Sequence, residues 1–366
     1  MASISETIAR FQHYGCGFHS AERSTDVSQL EPMDNFGRNP GNLRALMHVP
    51  VGLPAGAPLV VVLHGCTQTA GAYDRGSGWS TLADRFGFAI LYPEQQRGNN
   101  PNLCFNWFSP SDTRRGVGEA ESIREMVVTA IERRRLDASR VFVTGLSAGG
   151  AMTSVMLATY PEMFCAGAII AGLPFGTAAS VSEALERMRG HGHDHEASSD
   201  RVRAASAHRG RWPAVSVWHG PTDMTVNAAN AAMIVEQWKG VHGVTSPPIE
   251  GQVDGQVHRE WHDEAGRLVV EDYVVARLGH GTPIATSGDE ACGVPGPYML
   301  DAGISSTYRI AASWGVVPAT APPRERPTAP DRPKVAGSRP MQAAPQPLNP
   351  GQIINDALRA AGLIKP

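Results

Sequence analysis

Residues 140–154 read Arg-Val-Phe-Val-Thr-Gly-Leu-Ser-Ala-Gly-Gly-Ala-Met-Thr-Ser, and this stretch carries the strongest signal for the fold. The apolar, β-branched run at 140–144 predicts a strand, and the run at 151–158 predicts a helix. Between them, Gly145 and Gly149 allow a sharp turn around Ser147, because a glycine has no Cβ atom to clash. A serine on such a strand-turn-helix element is exposed and aimed, as a nucleophile must be. The sequence therefore predicts a reactive serine at position 147.

The composition predicts one main domain that handles a neutral or small ligand. The chain has 366 residues, of which 42% are hydrophobic, so it can bury a large core. A formal net charge of −3 gives no excess of cations to meet a polyanion, which argues against nucleic acid as a partner. No apolar run reaches the length of a membrane span, so no transmembrane segment is expected.

Strand and helix signals alternate from Leu43 onward, which is typical of an α/β fold. Strands are predicted at 44–49, 58–63, 88–92, 140–144, 166–170, 213–218, 257–261 and 267–276, and helices at 79–86, 117–131, 151–158, 181–188, 200–207 and 227–241. The runs at 58–63 and 166–170 are almost continuously apolar, as strands covered on both faces require. In the helix 117–131, Glu119 and Glu121 are assigned to the polar face. We therefore predict a mostly parallel, doubly wound sheet.

The composition divides the chain into several segments. Residues 1–40 show no sustained period and are interpreted as an N-terminal arm. The catalytic domain is expected at 41–317, with the polar stretch 172–211 as a candidate cap over the site. Residues 318–350 are rich in Pro, Ala, Arg and Gln and predict an extended linker. Residues 351–366 predict an amphipathic helix that docks either on its own domain or on a partner.

His280 and Asp223 are the predicted partners of Ser147. His280 follows a predicted strand and is flanked by glycines, so its loop can hold an imidazole over the serine as the base. Asp223 lies just after the strand 213–218, where a buried carboxylate fixes the tautomer of the imidazole. The order Ser, Asp, His along the chain agrees with this kind of fold.

Other acids and histidines compete for these roles. Asp254 and Asp272 are alternatives for the acid. His219, next to the acid loop, is interpreted as a structural histidine rather than as the base. His258 and His262 lie on a predicted strand with polar neighbours, so we expect both side chains to be exposed.

Acyl transfer also needs hydrogen-bond donors for the oxyanion that forms in the transition state. The loop 64–68 reads His-Gly-Cys-Thr-Gln and follows an early strand. We predict that the backbone N–H groups of Cys66 and Ala148 form the oxyanion hole. Cys66 as the nucleophile is the rival interpretation, and it is less favoured because Ser147 has the strand-turn-helix context.

Three further residues are assigned to substrate binding. His64 lies in the loop 64–68, and Asn106 and Trp107 lie in the segment 104–108. Trp107 lies in the aromatic segment 104–108, which reads Cys-Phe-Asn-Trp-Phe. Its indole forms either an apolar wall for the substrate or an ordinary part of the core.

The cysteines and the histidine-rich stretch give no pattern of a metal site. The five cysteines include no C-x-x-C pair. Cys66 and Cys104 flank the predicted site, and a disulfide between them and two free thiols both remain open, whereas Cys165 is expected to be a buried apolar residue. His191, His193 and His195 are interpreted as part of a solvated loop, because no second ligand cluster accompanies them. No metal is therefore expected.

Taken together, these motifs resemble the polyhydroxybutyrate depolymerase type of esterase in the α/β-hydrolase superfamily, over roughly residues 36–316. The resemblance rests on LHGCTQ at 63–68, YPEQ at 92–95, CFNWF at 104–108, GLSAGGAM at 145–152, AGLP at 171–174, WHG at 218–220 followed by Asp223, and GHG at 279–281. It implies a serine esterase with Ser147 as nucleophile, Asp223 as acid and His280 as base. Thr177 and the stretch 191–195 depart from the family pattern, which affects the cap and the substrate range.

The expected function is therefore cofactor-free hydrolysis of carboxylic esters through an acyl-enzyme. The resemblance implies hydroxyalkanoate oligomers or polyester as substrates, with feruloyl or acetyl esters of plant polysaccharide as the alternative. From another class, a catalytically silent protein that binds a polymer or a granule is the alternative. The resemblance implies an extracellular protein, whereas residues 1–10 lack the cationic and apolar regions of a secretory signal, so a cytoplasmic location also stays open.

Overall fold

The computed structural model describes residues 30–192 and 198–321 and shows a ten-stranded central sheet with helices around it. The strands of the sheet are β1 (Glu31–Pro32), β2 (Arg44–His48), β3 (Leu59–Leu63), β4 (Ala89–Glu94), β5 (Val141–Leu146), β6 (Ala166–Ile170), β7 (Ala214–His219), β8 (Ile249–Val253), β9 (Gln256–His262) and β10 (Leu268–Val274). A separate pair is formed by β11 (Thr282–Ile284) and β12 (Met299–Asp301). The helices are α1 (Ala70–Ser77), α2 (Trp79–Phe86), α3 (Pro110–Thr113), α4 (Gly118–Arg134), α5 (Ala148–Thr159), α6 (Val181–Met188), α7 (Ser198–Ala204), α8 (Ala229–His242) and α9 (Ser306–Ser313).

The strand order explains where the site lies. The sheet runs β1-β2-β4-β3-β5-β6-β7-β10-β9-β8, and the central strands from β4 to β10 are all parallel. Antiparallel strands close both edges. Because β5, β7 and β10 are parallel and near one another, their carboxyl ends share one edge of the sheet. The loops that follow these strands therefore meet there.

Two hydrophobic cores cover the two faces of the sheet. On β3, Leu59, Val61 and Leu63 belong to one core, whereas Val60 and Val62 belong to the other, and all five side chains are fully buried. Alternate residues of a strand point to opposite faces, so both faces of β3 are covered. The predicted α/β class with a doubly wound, mostly parallel sheet is confirmed.

Several elements carry little signal in the sequence. Helix α1 reads AGAYDRGS and has few large apolar residues, so periodicity does not predict it. Its bounds come from caps instead: the Thr69 side chain accepts a hydrogen bond from the Ala72 amide, and Gly78 ends the helix in the left-handed conformation. Strand β8 is an exposed edge strand without an apolar alternation.

The packed part of the chain begins before the predicted boundary at residue 41. Strand β1 pairs with β2, and Leu30, Met33 and Phe36 are buried. A two-residue strand is too short to show a period, which is why the sequence did not reveal it. The predictions for residues 1–29, for the linker 318–350 beyond residue 321 and for the helix 351–366 lie outside the described residues.

Three predictions of burial are wrong. His258 is 8% exposed, because its Nε2 lies 2.9 Å from a Glu271 carboxylate oxygen and its ring stacks on Tyr273 at 4.2 Å. Cys165 is exposed, because it precedes the first residue of β6. Glu119 and Glu121 are buried rather than on a solvent face, since the segment around Gly41 packs directly on the first turn of α4.

No helix in the described ranges has both the length and the apolar character to cross a membrane.

The candidate cap lies partly outside the described residues, at 193–197. Within it, Leu173 and Ala184 are buried in a small cluster with Trp107 and Ala148, and Met188 packs against that cluster. This segment thus lies beside the turn that carries Ser147.

Candidate active site

Ser147 occupies a sharp turn between β5 and α5. Its backbone has φ 57° and ψ −117°, a strained conformation for a residue with a Cβ atom. The turn requires glycine on both sides because the backbone passes so close to its neighbours. A Cβ atom on Gly149 would lie 2.3 Å from the Leu63 carbonyl oxygen, and one on Gly145 would lie 2.4 Å from the Gly149 carbonyl oxygen. The turn therefore seats Ser147 directly beside the loop that follows β3.

The structure brings the three predicted catalytic side chains together. His280 Nε2 lies 2.9 Å from Ser147 Oγ, and His280 Nδ1 lies 2.7 Å from Asp223 Oδ2. An ionised carboxylate only accepts hydrogen bonds, so the Nδ1–H donates to Asp223. Nε2 is then the acceptor for the Ser147 hydroxyl. This arrangement can take the proton of Ser147 during nucleophilic attack.

Asp223 is fixed by hydrogen bonds on both of its oxygens. Oδ1 accepts from the backbone amides of Thr225 and Val226, each at 2.8 Å. Burial by itself raises the pKa of the Asp223 carboxyl, but hydrogen bonds from His219, from His280 and from the Val226 amide outweigh burial, and its pKa lies below the usual range. Asp223 therefore stays ionised in the acidic range in which an ordinary aspartate becomes protonated.

The rival acids are occupied elsewhere. Asp254 bonds to Arg309, with both oxygens 3.0 Å from the guanidinium, and Asp272 bonds to Arg259. His219 has the structural place predicted for it, because its Nε2 lies 2.9 Å from the Val226 carbonyl oxygen. These contacts leave His280 as the histidine that joins Asp223 to Ser147.

The two predicted oxyanion donors lie on adjoining pieces of backbone. Ala148 is the first residue of α5, where an N–H group has no acceptor within the helix. No backbone acceptor for the Cys66 amide is found among the described residues. The loop around Cys66 is held in place: the Gly65 amide donates to Gln68 Oε1 at 2.8 Å, and the Thr67 amide donates to the Asn102 carbonyl at 2.6 Å.

A disulfide joins Cys66 to Cys104, with their Cα atoms 4.2 Å apart. It ties the loop after β3 to the aromatic segment 104–108. The sulfur of Cys66 is thus covalently occupied, which argues against Cys66 as the nucleophile. Cys165 is a free thiol, and Cys16 lies outside the described residues.

His64 holds the backbone rather than a substrate, which corrects its predicted role. Its side chain is 1% exposed. Nε2 accepts the Gln95 backbone N–H at 3.1 Å, so the proton is on Nδ1, which donates to the Gly65 carbonyl at 2.8 Å. Burial lowers the pKa of His64, so the ring stays neutral. His64 therefore positions the loop of Cys66.

Asn106 is likewise a structural residue, contrary to the prediction of substrate binding. Its backbone amide and its Nδ2 donate to the two oxygens of Glu119, at 2.8 and 2.7 Å. Gln95 Nε2 donates to Glu119 Oε1 at 2.6 Å and to the Cys104 carbonyl at 3.0 Å. Gln95 and Glu119 were missed as site-supporting residues, although Gln95 is part of the YPEQ motif at 92–95. Together they link the two loops behind the site.

Burial raises the pKa of Glu119 to about 8, although its three donors favour the ionised form. An acid whose pKa is higher in the folded state than in the unfolded state stabilises the fold at pH values below its unfolded-state pKa. This stabilisation is lost as the pH rises towards the folded-state pKa. The free energy of unfolding should therefore fall from pH 4.5 to about 8 by a few kcal/mol more in the wild type than in Glu119→Gln. Urea denaturation across this range tests it, with Glu125→Gln on the same helix as the control. Parallel profiles for wild type and Glu119→Gln would contradict the assignment.

Trp107 lies beside the catalytic turn, in agreement with either of its predicted roles. Its side chain is 9% exposed and belongs to the cluster that includes Ala148, Leu173 and Val226. Cys66 and Cys104 pack against the same cluster. The role of Trp107 as a wall of the substrate pocket remains a prediction.

Comparison with known proteins identifies the family. The model of the esterase PHB depolymerase family matches residues 44–252. Poly(3-hydroxyalkanoate) depolymerase C of Paucimonas lemoignei is 46% identical over 301 residues, which cover 81% of this chain and 72% of that protein. This chain belongs to the esterase PHB depolymerase family. The predicted resemblance is confirmed, and with it the assignment to the carboxylic ester hydrolases.

Other relatives of this esterase are named for activity on a different class of ester. Acetylxylan esterase A of Aspergillus oryzae is 32% identical over 272 residues, which cover 72% of this chain and 87% of that protein. The solved acetyl xylan esterase from Aspergillus awamori superposes with a TM-score of 0.66 at 25% identity, and covers 79% of this chain and 99% of its own. This chain therefore shares its fold with that acetyl xylan esterase.

Within the described ranges of this esterase, one cluster of side chains has the spacing to hold a metal ion. The ligand atoms of His258, Glu260 and Glu271 lie within 4.8 Å of one another. These residues lie on β9 and β10, and His258 already bonds to Glu271. In the histidine-rich stretch, His191 lies 3.6 Å from Glu186, while His193 and His195 are outside the described residues.

Proposed function

We propose that this esterase hydrolyses hydroxyalkanoate oligomers or polyester through an acyl-enzyme on Ser147. His280 is the general base, and Asp223 orients and stabilises it. The observation that carries the proposal is the continuous chain of contacts from Ser147 Oγ through His280 to Asp223, at 2.9 and 2.7 Å. Serine nucleophiles need such an oriented base because an isolated hydroxyl is a weak nucleophile at neutral pH.

The reaction proceeds in two halves. His280 Nε2 takes the proton of Ser147 while Oγ attacks the ester carbonyl carbon, and the resulting oxyanion accepts hydrogen bonds from the amides of Cys66 and Ala148. His280 then protonates the leaving alcohol, and the acyl group stays on Ser147. In the second half, water gives its proton to His280 and attacks the acyl carbon, which releases the acid and restores Ser147. Each oxyanion donor is worth about 2.7 to 4 kcal/mol in such sites.

The substrate class follows from the relatives together with the intact catalytic side chains. The depolymerase relative is 46% identical, against 32% for the acetylxylan esterase, which favours hydroxyalkanoate esters over acetyl or feruloyl esters of polysaccharide. A catalytically silent binding protein is disfavoured, because selection for binding alone would not preserve the hydrogen bonds of Ser147, His280 and Asp223.

The proposal is tested by the choice of substrate. The purified protein should hydrolyse a 3-hydroxybutyrate trimer with a kcat/KM at least about tenfold above that for acetylated xylan or methyl ferulate. A preference for acetylated xylan would overturn the hydroxyalkanoate assignment and favour the polysaccharide esterase. Failure to release acid from all three substrates would contradict ester hydrolysis itself.

An oxidising, extracellular compartment is proposed from the disulfide at the site. The disulfide between Cys66 and Cys104 lies at the oxyanion loop, and disulfides persist in oxidising compartments. A cytoplasmic enzyme would keep these thiols reduced and would lose this tie between the two loops.

A further inference from the structure

A groove of about 310 Å³ opens beside the catalytic side chains and has no part in the mechanism above. One wall is α1, and the other is the segment 294–299. Its lining includes Thr67, which follows the oxyanion residue Cys66, and Tyr298, whose ring lies edge-on 6.1 Å from the ring of His280. The groove therefore starts next to the base that protonates the leaving alcohol.

The groove is preformed, because its two walls are in direct contact. The Val294 amide donates to the Gly76 carbonyl at 2.9 Å, and a Cβ atom on Gly76 would lie 2.5 Å from Met299. The Thr282 amide donates to the Tyr298 carbonyl at 2.8 Å, which ties the second wall to the loop of His280. A rigid groove loses little entropy when a ligand binds.

Arg75 is the charged residue among those that line the groove. The other lining residues are mostly apolar or small, among them Ala72, Pro295 and Pro297. Arg75 is exposed, and no hydrogen bond or ion pair from its guanidinium to another described residue is found. A guanidinium that has no partner among the described residues and lies beside apolar walls matches a ligand that has a hydrocarbon body and ends in a carboxylate.

We propose that this groove binds the leaving hydroxy acid of an ester oligomer, and that Arg75 binds its free carboxylate. The inference rests on the proposed function, since cleavage of the last ester bond of a hydroxyalkanoate oligomer releases an alcohol that carries such a carboxylate. His280 gives its proton to the alcohol oxygen at the mouth of the groove. The carboxylate lies further along α1, at Arg75, so the enzyme distinguishes a carboxyl-terminal unit from an internal one.

Arg75→Gln tests the charge, with two substrates that differ only at the carboxyl end. For the free acid of a 3-hydroxybutyrate dimer, KM should rise about five- to tenfold while kcat changes little, because the lost ionic hydrogen bond is partly exposed. For the methyl ester of the same dimer, and for methyl butyrate, KM and kcat should stay as in the wild type. Arg75→Lys should retain part of the preference. High salt should weaken the preference of the wild type.

Two controls separate the groove from general effects. Arg135→Gln removes the same charge at an exposed position at the end of α4, before the amino end of β5, and should leave the kinetics of both dimers unchanged. Ala72→Phe should obstruct the groove and raise KM for the acid and the methyl ester alike, with methyl butyrate unaffected. An equal response of the two dimers to Arg75→Gln would overturn the carboxylate site. A wild type that is inactive on methyl butyrate and on both dimers would instead contradict the proposed function.

Discussion

Ser147→Ala is expected to lower kcat for ester hydrolysis by about a millionfold, because the serine, the histidine and the aspartate of such a site act as one unit. Removal of Oγ leaves His280 without a proton to take and the ester without a nucleophile. The fold should be retained, since Ser147 Oγ has its hydrogen bond to His280 and does not hold the turn. The turn is held instead by the Ser147 amide, which donates to the Ile170 carbonyl at 2.9 Å.

Steady-state assays on a 3-hydroxybutyrate trimer and a p-nitrophenyl ester measure this loss, and thermal unfolding checks the fold. Ser154→Ala is the matched control, because it removes a buried hydroxyl from the same helix, where Oγ donates to the Leu173 carbonyl. That variant should keep kcat within about tenfold of the wild type, with at most a loss of about 1 to 2 kcal/mol of stability. A Ser147→Ala protein that still hydrolyses esters at the wild-type rate would remove the basis of the mechanism.

Asp223→Asn is expected to lower kcat by about ten thousandfold with little change in KM. The side-chain oxygen of asparagine can still accept from the amides of Thr225 and Val226. Its NH₂ group then faces His280 Nδ1 and favours the tautomer that carries the proton on Nε2. In that tautomer, His280 cannot accept the proton of Ser147, and the cation that forms during catalysis has lost its counter-charge.

Asp254→Asn provides the matched control, because Asp254 is one of the rival acids and bonds to Arg309 rather than to a histidine. It should keep nearly wild-type kcat. A second comparison uses the pH dependence of the wild type: because the pKa of Asp223 is held below its usual range, this carboxylate should not limit activity as the pH falls through about 4. If Asp254→Asn caused the larger loss, the acid would have been assigned to the wrong loop.

The meeting of the three side chains proposed for catalysis was predictable, because topology places them together. A serine between glycines after a strand, a histidine after another strand and an aspartate after a third all lie at the carboxyl edge of one parallel sheet. Ser147, Asp223 and His280 follow β5, β7 and β10, which are parallel and close in the sheet. The periodicity that predicts the strands therefore also predicts that these loops meet.

The residues that support the site were not predictable in this way. His64 and Asn106 lie in the right loops, but whether a side chain faces the substrate or the backbone depends on contacts between distant segments. Glu119 reads as part of a polar helix face, and only the packing of residues near 41 and 106 shows that it is buried. The short strand β1 and helix α1 escaped prediction because their stability comes from pairing and caps rather than from apolar periodicity.

The position of the covalent intermediate distinguishes a Ser147 nucleophile from any other. The wild type is mixed with a slowly released p-nitrophenyl ester, quenched in acid within the first turnover, digested and analysed by mass spectrometry. Catalysis through Ser147 predicts an acyl group on the peptide that contains Ser147, a burst of p-nitrophenol about equal to the enzyme present, and neither signal in Ser147→Ala. An acyl group on another residue, or full turnover with no acylated peptide and no burst at any quench time, would contradict it.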